Sequence, residues 1–197
     1  SCMTIVNRTS EIVNPQRVVI VTGPPAAGKT TLARQLATAL DWPFLYKDGI
    51  KEMLFDGLGF SDRAWSQKLG SVTWDVMLHF TELLIHSGGS FVVEGNFTEQ
   101  HHAERFKQWR EKYDCRYRQI HCDADVDVLY ERYCARVESG ERHPGHVDHS
   151  LSRELFVSLF GSEKFAPMNI GGDVIKLDTT DFVSLDVDAL LNAIRMV

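Results

Sequence analysis

Cysteine and proline are scarce in this 197-residue sequence, at 4 and 6 residues. The cysteines, Cys2, Cys115, Cys122 and Cys134, form no CxxC pair. That spacing excludes a zinc knuckle and a thioredoxin-like dithiol, and reduced, mostly buried thiols are expected. No apolar run approaches the roughly 18–20 residues of a membrane-spanning helix. The stretch from Ser1 to Gln16 mixes Asn7, Arg8, Thr9, Ser10 and Glu11 with few apolar side chains and does not read as a secretory leader. Basic residues are in deficit, with 21 Lys+Arg against 27 Asp+Glu and a net charge of −6. That balance argues against an extended surface for nucleic acid, while leaving room for a local arginine cluster. Internal repeats and low-complexity tracts are also missing.

What is present is ordinary for a globular protein: 44% hydrophobic and 24% charged residues. The length suits one domain with its own core. The expected division is an N-terminal extension at 1–16 and one domain at 17–197. With no leader and no disulfide pattern, a cytoplasmic location is expected.

Short apolar runs alternate with amphipathic stretches. Arg17–Thr22 (RVVIVT) is a β-branched run of the kind buried on both faces of a sheet. Further strands are expected at Phe44–Tyr46, Phe91–Val93, Tyr117–Cys122 and Val174–Leu177. Helices are expected at Lys29–Leu40, Gln100–Tyr113, Val126–Ser139, Leu151–Phe160 and Asp186–Met196. Another, from Trp65 to Gly88, carries Leu69, Val72, Val76, Phe80 and Leu83 as its apolar stripe. Strands separated by helices imply a parallel sheet covered on both faces, with ligands bound beyond the strands' carboxyl ends.

Beyond the first strand lies Gly23-Pro24-Pro25-Ala26-Ala27-Gly28-Lys29-Thr30-Thr31, which fits GxxxxGK(S/T) between a strand and a helix. The glycines let the loop curl with its N–H groups pointing inward, and the next helix adds its positive end. Lys29 reaches β- and γ-phosphate oxygens, and the Thr30 hydroxyl suits Mg²⁺. No NKxD guanine signature occurs, and the DxxG at Asp56–Gly59 lacks a preceding apolar strand, which argues against a GTPase.

Three further groups follow the strands. Asp48, just after Phe44–Tyr46, is a candidate base or positioning carboxylate, and also a candidate helix cap for the segment from Ile50. Lys51, three residues on, is placed to neutralise a transferring group or hold an acceptor. Glu94 ends the third strand, positioned to serve Mg²⁺ or the acceptor, and Asn96 lies in the open backbone beyond it. Arg132 and Arg136 share one helix face, with Arg142 past Gly140; such arginines suit a lid over the phosphates. His143, His146 and His149 follow, and Pro144 and Gly145 break any helical metal-binding spacing. A loop closing over the acceptor, with His143 or His146 touching it, is expected instead. His101 and His102 are expected at an exposed helix start, and Trp65 and Trp74 in core packing or an acceptor wall.

Together GPPAAGKTT, KDGIKEMLFD, VVEGNF and ERYCARVESGERH resemble the P-loop kinases that include polynucleotide 5′-kinases, chloramphenicol phosphotransferase and zeta-toxin-like kinases, from Val18 to about Leu191. The resemblance implies a three-layer α/β P-loop NTPase fold with a five-stranded parallel sheet of order 2-3-1-4-5 and a small helical lid at about 131–149. It implies Asp48 as the base that deprotonates the acceptor hydroxyl, and Arg132 and Arg136 as lid residues on ATP. It places Lys51 where polynucleotide kinases usually carry an arginine for the acceptor phosphate; a lysine does not make the bidentate contact. Asp178-Thr179-Thr180 looks like the segment on the adenine side in that group. The expected activity is ATP- and Mg²⁺-dependent transfer of the γ-phosphoryl group to a hydroxyl of a small-molecule or nucleoside-like acceptor. The alternatives are a nucleic-acid-end 5′-kinase and a non-catalytic ATP-binding regulator.

Overall fold

The computed structural model describes residues 16–147 and 151–196. The extension at 1–16 therefore lies outside the described residues except for Gln16, as do Cys2 and His149. The first strand, β1 (Gln16–Thr22), sits at the sheet's centre, and Val18, Val19, Ile20 and Val21 are all completely buried. Four successive apolar β-branched residues suit a strand that is covered on both sides.

The remaining strands are β2 (Phe44–Tyr46), β3 (Phe91–Glu94), β4 (Cys115–Asp123) and β5 (Asp173–Asp178). All pairings are parallel, in the order β2-β3-β1-β4-β5. Consecutive strands are joined through helices α1 (Lys29–Leu40), α2 (Lys47–Leu58), α3 (Arg63–Ser87), α4 (Glu99–Lys112), α5 (Val126–Ser139) and α6 (Arg153–Phe160), and α7 (Val187–Arg195) follows β5. The strand period of two sorts β1 into two cores. Val18 and Ile20 pack with α3 and α4 through Met77, Phe106 and Trp109. Val19 and Val21 pack with α1, α5, α6 and α7 through Leu32, Leu36, Tyr133, Phe156 and Leu191.

Register fixes the functional end of the sheet. Val21 and Tyr46 both lie opposite Glu94, and Thr22 lies opposite His121. The loops that leave β1, β2 and β3 therefore start at one level.

Several local expectations shift. α2 begins at Lys47 with Tyr46 as its cap, so Asp48 lies in the first helical turn and does not cap the segment from Ile50. α3 buries Leu69, Thr73, Met77, Thr81 and Ile85, while Val72, Phe80 and Leu83 of the expected stripe are exposed. The reason is that Thr73 and Thr81 donate their hydroxyls to the Leu69 and Met77 carbonyls, at 2.7 and 2.8 Å. Satisfied in this way, a threonine buries like a valine and the pattern of residue types misleads. His102, expected to be exposed, is buried: its Nδ1 accepts the Thr98 N–H at 3.0 Å and its ring lies 4.3 Å from that of Trp74. β4 runs two residues earlier than its apolar core because Cys115 and Arg116 pair with Gln16 and Arg17.

Candidate active site

The glycine-rich loop between β1 and α1 is shaped by three residues with positive φ. Gly23 has φ 135°, and a Cβ there would stand 1.9 Å from the Cys122 carbonyl oxygen, so no other residue fits. Gly28, at φ 73°, caps α1, and Ala26 adopts φ 66° between them. Together they curl the chain around the amino end of α1. Lys29, the first residue of that helix, is buried and donates from Nζ to the Pro24 carbonyl at 2.6 Å. Burial pushes its ammonium below the usual lysine range, while Glu94 works to raise it.

Thr30 donates its hydroxyl to Glu94 Oε2 at 3.0 Å. Glu94 is itself buried, and desolvation raises its carboxyl above the usual range against the opposing pull of Lys29. A hydroxyl and a carboxylate joined this way beside a curled amide loop form an oxygen donor set that suits Mg²⁺. The cradle, in which a Cβ at Gly23 or Gly28 would clash, suits a triphosphate.

Asp48 faces the same space. Burial works to raise its carboxyl, but Lys47 and Arg142 overcome that and hold it well below the ordinary aspartate value. Lys47 Nζ stands 3.3 Å from Oδ1, and Arg142 Nη2 donates to Oδ2 at 2.6 Å. The group is thus firmly ionised.

The chain after α5 docks onto α2. Asp48, Glu52 and Asp56 recur every four residues along one face of α2. They meet Arg142 at 2.6 Å, His146 at 2.9 Å and His143 at 3.2 Å, respectively. Gly145 is pressed so closely to Phe55 that a Cβ there would lie 2.5 Å from the ring. His143 stacks on the same ring at 5.2 Å.

A cavity of about 620 Å³ joins these parts. Gly28, Lys29, Thr30 and Thr31 line one side; Asp48, Lys51, Glu94 and Asn96 line the other. Arg136 of α5, with Arg142 and His146 from the segment after it, lines a third side. Among the expected site residues, Gly23, Pro24, Ala27, Arg132 and His143 fall outside this lining. Arg132 donates to the Thr179 and Thr180 carbonyls, both at 3.0 Å, and so clasps α5 to the end of β5. His143 faces Asp56 and the Phe55 ring. Thr179 in turn donates to the Ala27 carbonyl at 3.1 Å, bracing the glycine-rich loop from the β5 side.

Four lining residues on α3 were not singled out by sequence pattern as site residues, apart from Trp74 as a possible wall: Arg63, Ser66, Gln67 and Trp74. Their spacing of three, one and seven puts them on one helical face that borders the buried one, with Ser66 buried and Trp74 packed against the core.

Comparison with known proteins agrees with this geometry. A family model described as an AAA domain matches residues 18–154. A shikimate kinase from Paracidovorax citrulli is 33% identical over 92 residues, which are 43% of this chain and 50% of that protein. The chain thus spans half the length of the curated relative it matches. The crystal structure of a "putative kinase" from Chloroflexus aurantiacus superposes with a TM-score of 0.84 at 38% identity, over 92% of this chain and 98% of that one. A shikimate kinase from Bacteroides thetaiotaomicron shares the fold, with a TM-score of 0.55 at 18% identity over 90% and 96% of the two chains.

Proposed function

The chain belongs to the AAA domain family, as a P-loop kinase by fold, and on that premise we propose that it transfers the γ-phosphoryl group of ATP to a hydroxyl of a small-molecule or nucleoside-like acceptor. The observation that carries this is the sharing of one cavity by the curled loop after β1 and an ionised aspartate at the exit of β2. The working unit is the domain at 17–197, with its lid at about 131–149.

In this reading the loop amides and Lys29 hold the β- and γ-phosphates, and Arg136 approaches them from the lid. Thr30 and Glu94 are the residues that would hold Mg²⁺, which when bound neutralises charge on the phosphate oxygens. Asp48 accepts a hydrogen bond from the acceptor hydroxyl and aims its oxygen at the γ-phosphorus. Its low basicity means that the proton moves late, once the new P–O bond has begun to form and the hydroxyl has become acidic. The bond from the γ-phosphorus to the β–γ bridging oxygen breaks, and ADP leaves with the negative charge that Lys29 stabilises. Arg142, bonded to Asp48 without acceptor, would share the carboxylate with the incoming hydroxyl.

Asp48→Asn tests the assignment. ATP affinity, read by calorimetry, should stay within about twofold, while transfer of labelled phosphate to a panel of hydroxyl compounds falls by about 10²–10⁴. Unchanged transfer would remove Asp48 from the role. ATP binding with no transfer by the unsubstituted protein to any compound would favour a non-catalytic regulator.

A further inference from the structure

Phosphoryl transfer to a hydroxyl leaves a proton to be placed, and Asp48 is a poor resting place for it. Burial favours protonation of that carboxyl, but Lys47, Arg142 and His146 outweigh it and hold the group well below the ordinary aspartate range. Both of its oxygens already face cations: Oδ1 is 3.3 Å from Lys47 Nζ and Oδ2 is 2.6 Å from Arg142 Nη2. A carboxylate held in this way aligns a hydroxyl well and retains its proton badly.

A better proton acceptor lies one turn away. Glu52 follows Asp48 on the same face of α2, and His146 Nε2 donates to its Oε1 at 2.9 Å. The His146 side chain is only 4% exposed, lines the cavity that Asp48 and Lys29 share, and meets the Phe55 ring edge-on with 5.4 Å between centres. An ionised carboxylate on Nε2 keeps the hydrogen on that nitrogen and makes Nδ1 the basic one. Among the described residues Nδ1 has no hydrogen-bond partner.

Charges from three elements act on the ring. α2 brings Asp48, Lys51 and Glu52, the ring's own segment brings Arg142 and His143, and Arg63 of α3 lines the same cavity. His143 is engaged with Asp56 at 3.2 Å. Burial lowers the basicity of His146 most, with Arg142 and Lys51 acting in the same sense and Asp48 and Glu52 opposing them. The ring is therefore neutral at pH 7 and able to receive a proton.

From this geometry we infer that Glu52 and His146 form a proton-accepting dyad that works through Asp48. The acceptor's O–H bond breaks as its oxygen bonds to the γ-phosphorus, and the hydrogen crosses the Asp48 carboxylate to His146 Nδ1. The bond from the γ-phosphorus to the bridging oxygen breaks, and its electron pair leaves with ADP. The imidazolium that results faces the carboxylates of Glu52 and Asp48, which stabilise it. The inference rests on the role proposed for Asp48 above, and it gives the docking of the segment after α5 onto α2 a part in the chemistry.

The test uses the whole protein with Mg²⁺ and labelled ATP. Phosphate released to water and phosphate transferred to glycerol, ribose, gluconate and shikimate are followed from about pH 5 to about pH 9. The kcat should fall on the acid side, in a limb below the ordinary histidine value of about 6.5, where His146 is already protonated. His146→Gln should lower kcat by about 10² and remove that limb, while KM for ATP stays within about twofold. Glu52→Gln should move the limb to lower pH, since it removes a charge that favours the imidazolium; a histidine that only braces the fold gives no such displacement. Nitrogen NMR of protein labelled in its histidine rings, assigned with His146→Gln, reads the dyad without turnover: at pH 7 His146 should carry hydrogen on Nε2 alone. Hydrogen on Nδ1, no acid limb, a limb that survives His146→Gln or stays in place in Glu52→Gln, or an undiminished kcat in His146→Gln would each overturn the inference. With turnover intact, those results leave the kinase reading standing. No turnover by the unsubstituted protein sinks the kinase reading and this inference with it.

Discussion

His102 occupies a position where the fold has no place for a second proton. Its Nδ1 receives the Thr98 N–H, and its ring is enclosed by Trp74 and Phe97, at 4.3 and 5.4 Å between ring centres. Burial lowers its pKa to about 4, against the help of the Thr98 backbone. The unfolded chain binds this proton near the ordinary histidine value of about 6.5, so between those values the unfolded state carries more protons. Stability is therefore fully present above about pH 6.5 and declines as pH falls toward 4. The expected decline, discounted for the ring's partial contact with solvent, is on the order of 2 kcal/mol. Urea melts of the protein and of His102→Gln at pH 7 and pH 4.5 check it. The difference in stability between the two pH values should shrink in the variant by about that amount. An equal difference in both proteins would show that the ring is protonated in the fold.

At the scale of elements, the joint between α2 and the segment after α5 combines a charged ladder with one close apolar contact. The ladder's exposed members add little, since ion pairs open to water contribute about 0–1 kcal/mol each. Gly145 against Phe55 is the steric part. Gly145→Ala drives a methyl group into the ring, and overpacking of this kind costs about 1–3 kcal/mol. The expected result is a lower urea midpoint and faster tryptic cleavage after Arg142 as the loop lifts away. Cleavage at the original rate would mean that the loop is held by its charges alone. This joint also marks where sequence reading ran out. α1, β2 and α5 are legible to the residue because a glycine-rich loop, a short aromatic strand and a glycine stop bound them. The cradle and Glu94 are legible because strand ends and a fixed spacing locate them. Asp48, Glu52 and Asp56 do form a visible period of four, but the pattern does not say what faces it. Their partners lie about ninety positions downstream, with separations of 94, 94 and 87 residues, and only tertiary contact brings them together. The same limit hid Arg132, whose shared helical face with Arg136 is real but whose head turns to the Thr179 and Thr180 carbonyls just past β5.

Across the whole molecule, the sheet register places the β1 loop, Glu94 and the start of α2 at one level, so a triphosphate held as proposed would touch loops from three strands at once. Ligand binding to the folded form alone stabilises it by RT ln(1 + [L]/Kd), about 2.7 kcal/mol at one hundred times Kd. For a chain of this length that corresponds to a rise in melting temperature of roughly 5–10 °C with Mg²⁺ and ATP. Lys29→Met keeps the length of the buried side chain while removing its charge. The variant's own melting temperature is free to move in either direction, because Glu94 loses the cation that opposes its desolvation. The increment on adding nucleotide is the quantity that reports on the cradle. If the ammonium holds the phosphates, that increment falls to about 1 °C or less at the same nucleotide concentration. An undiminished increment would place the nucleotide somewhere other than the curled loop, and with it would go the geometric link between Asp48 and the reacting phosphate.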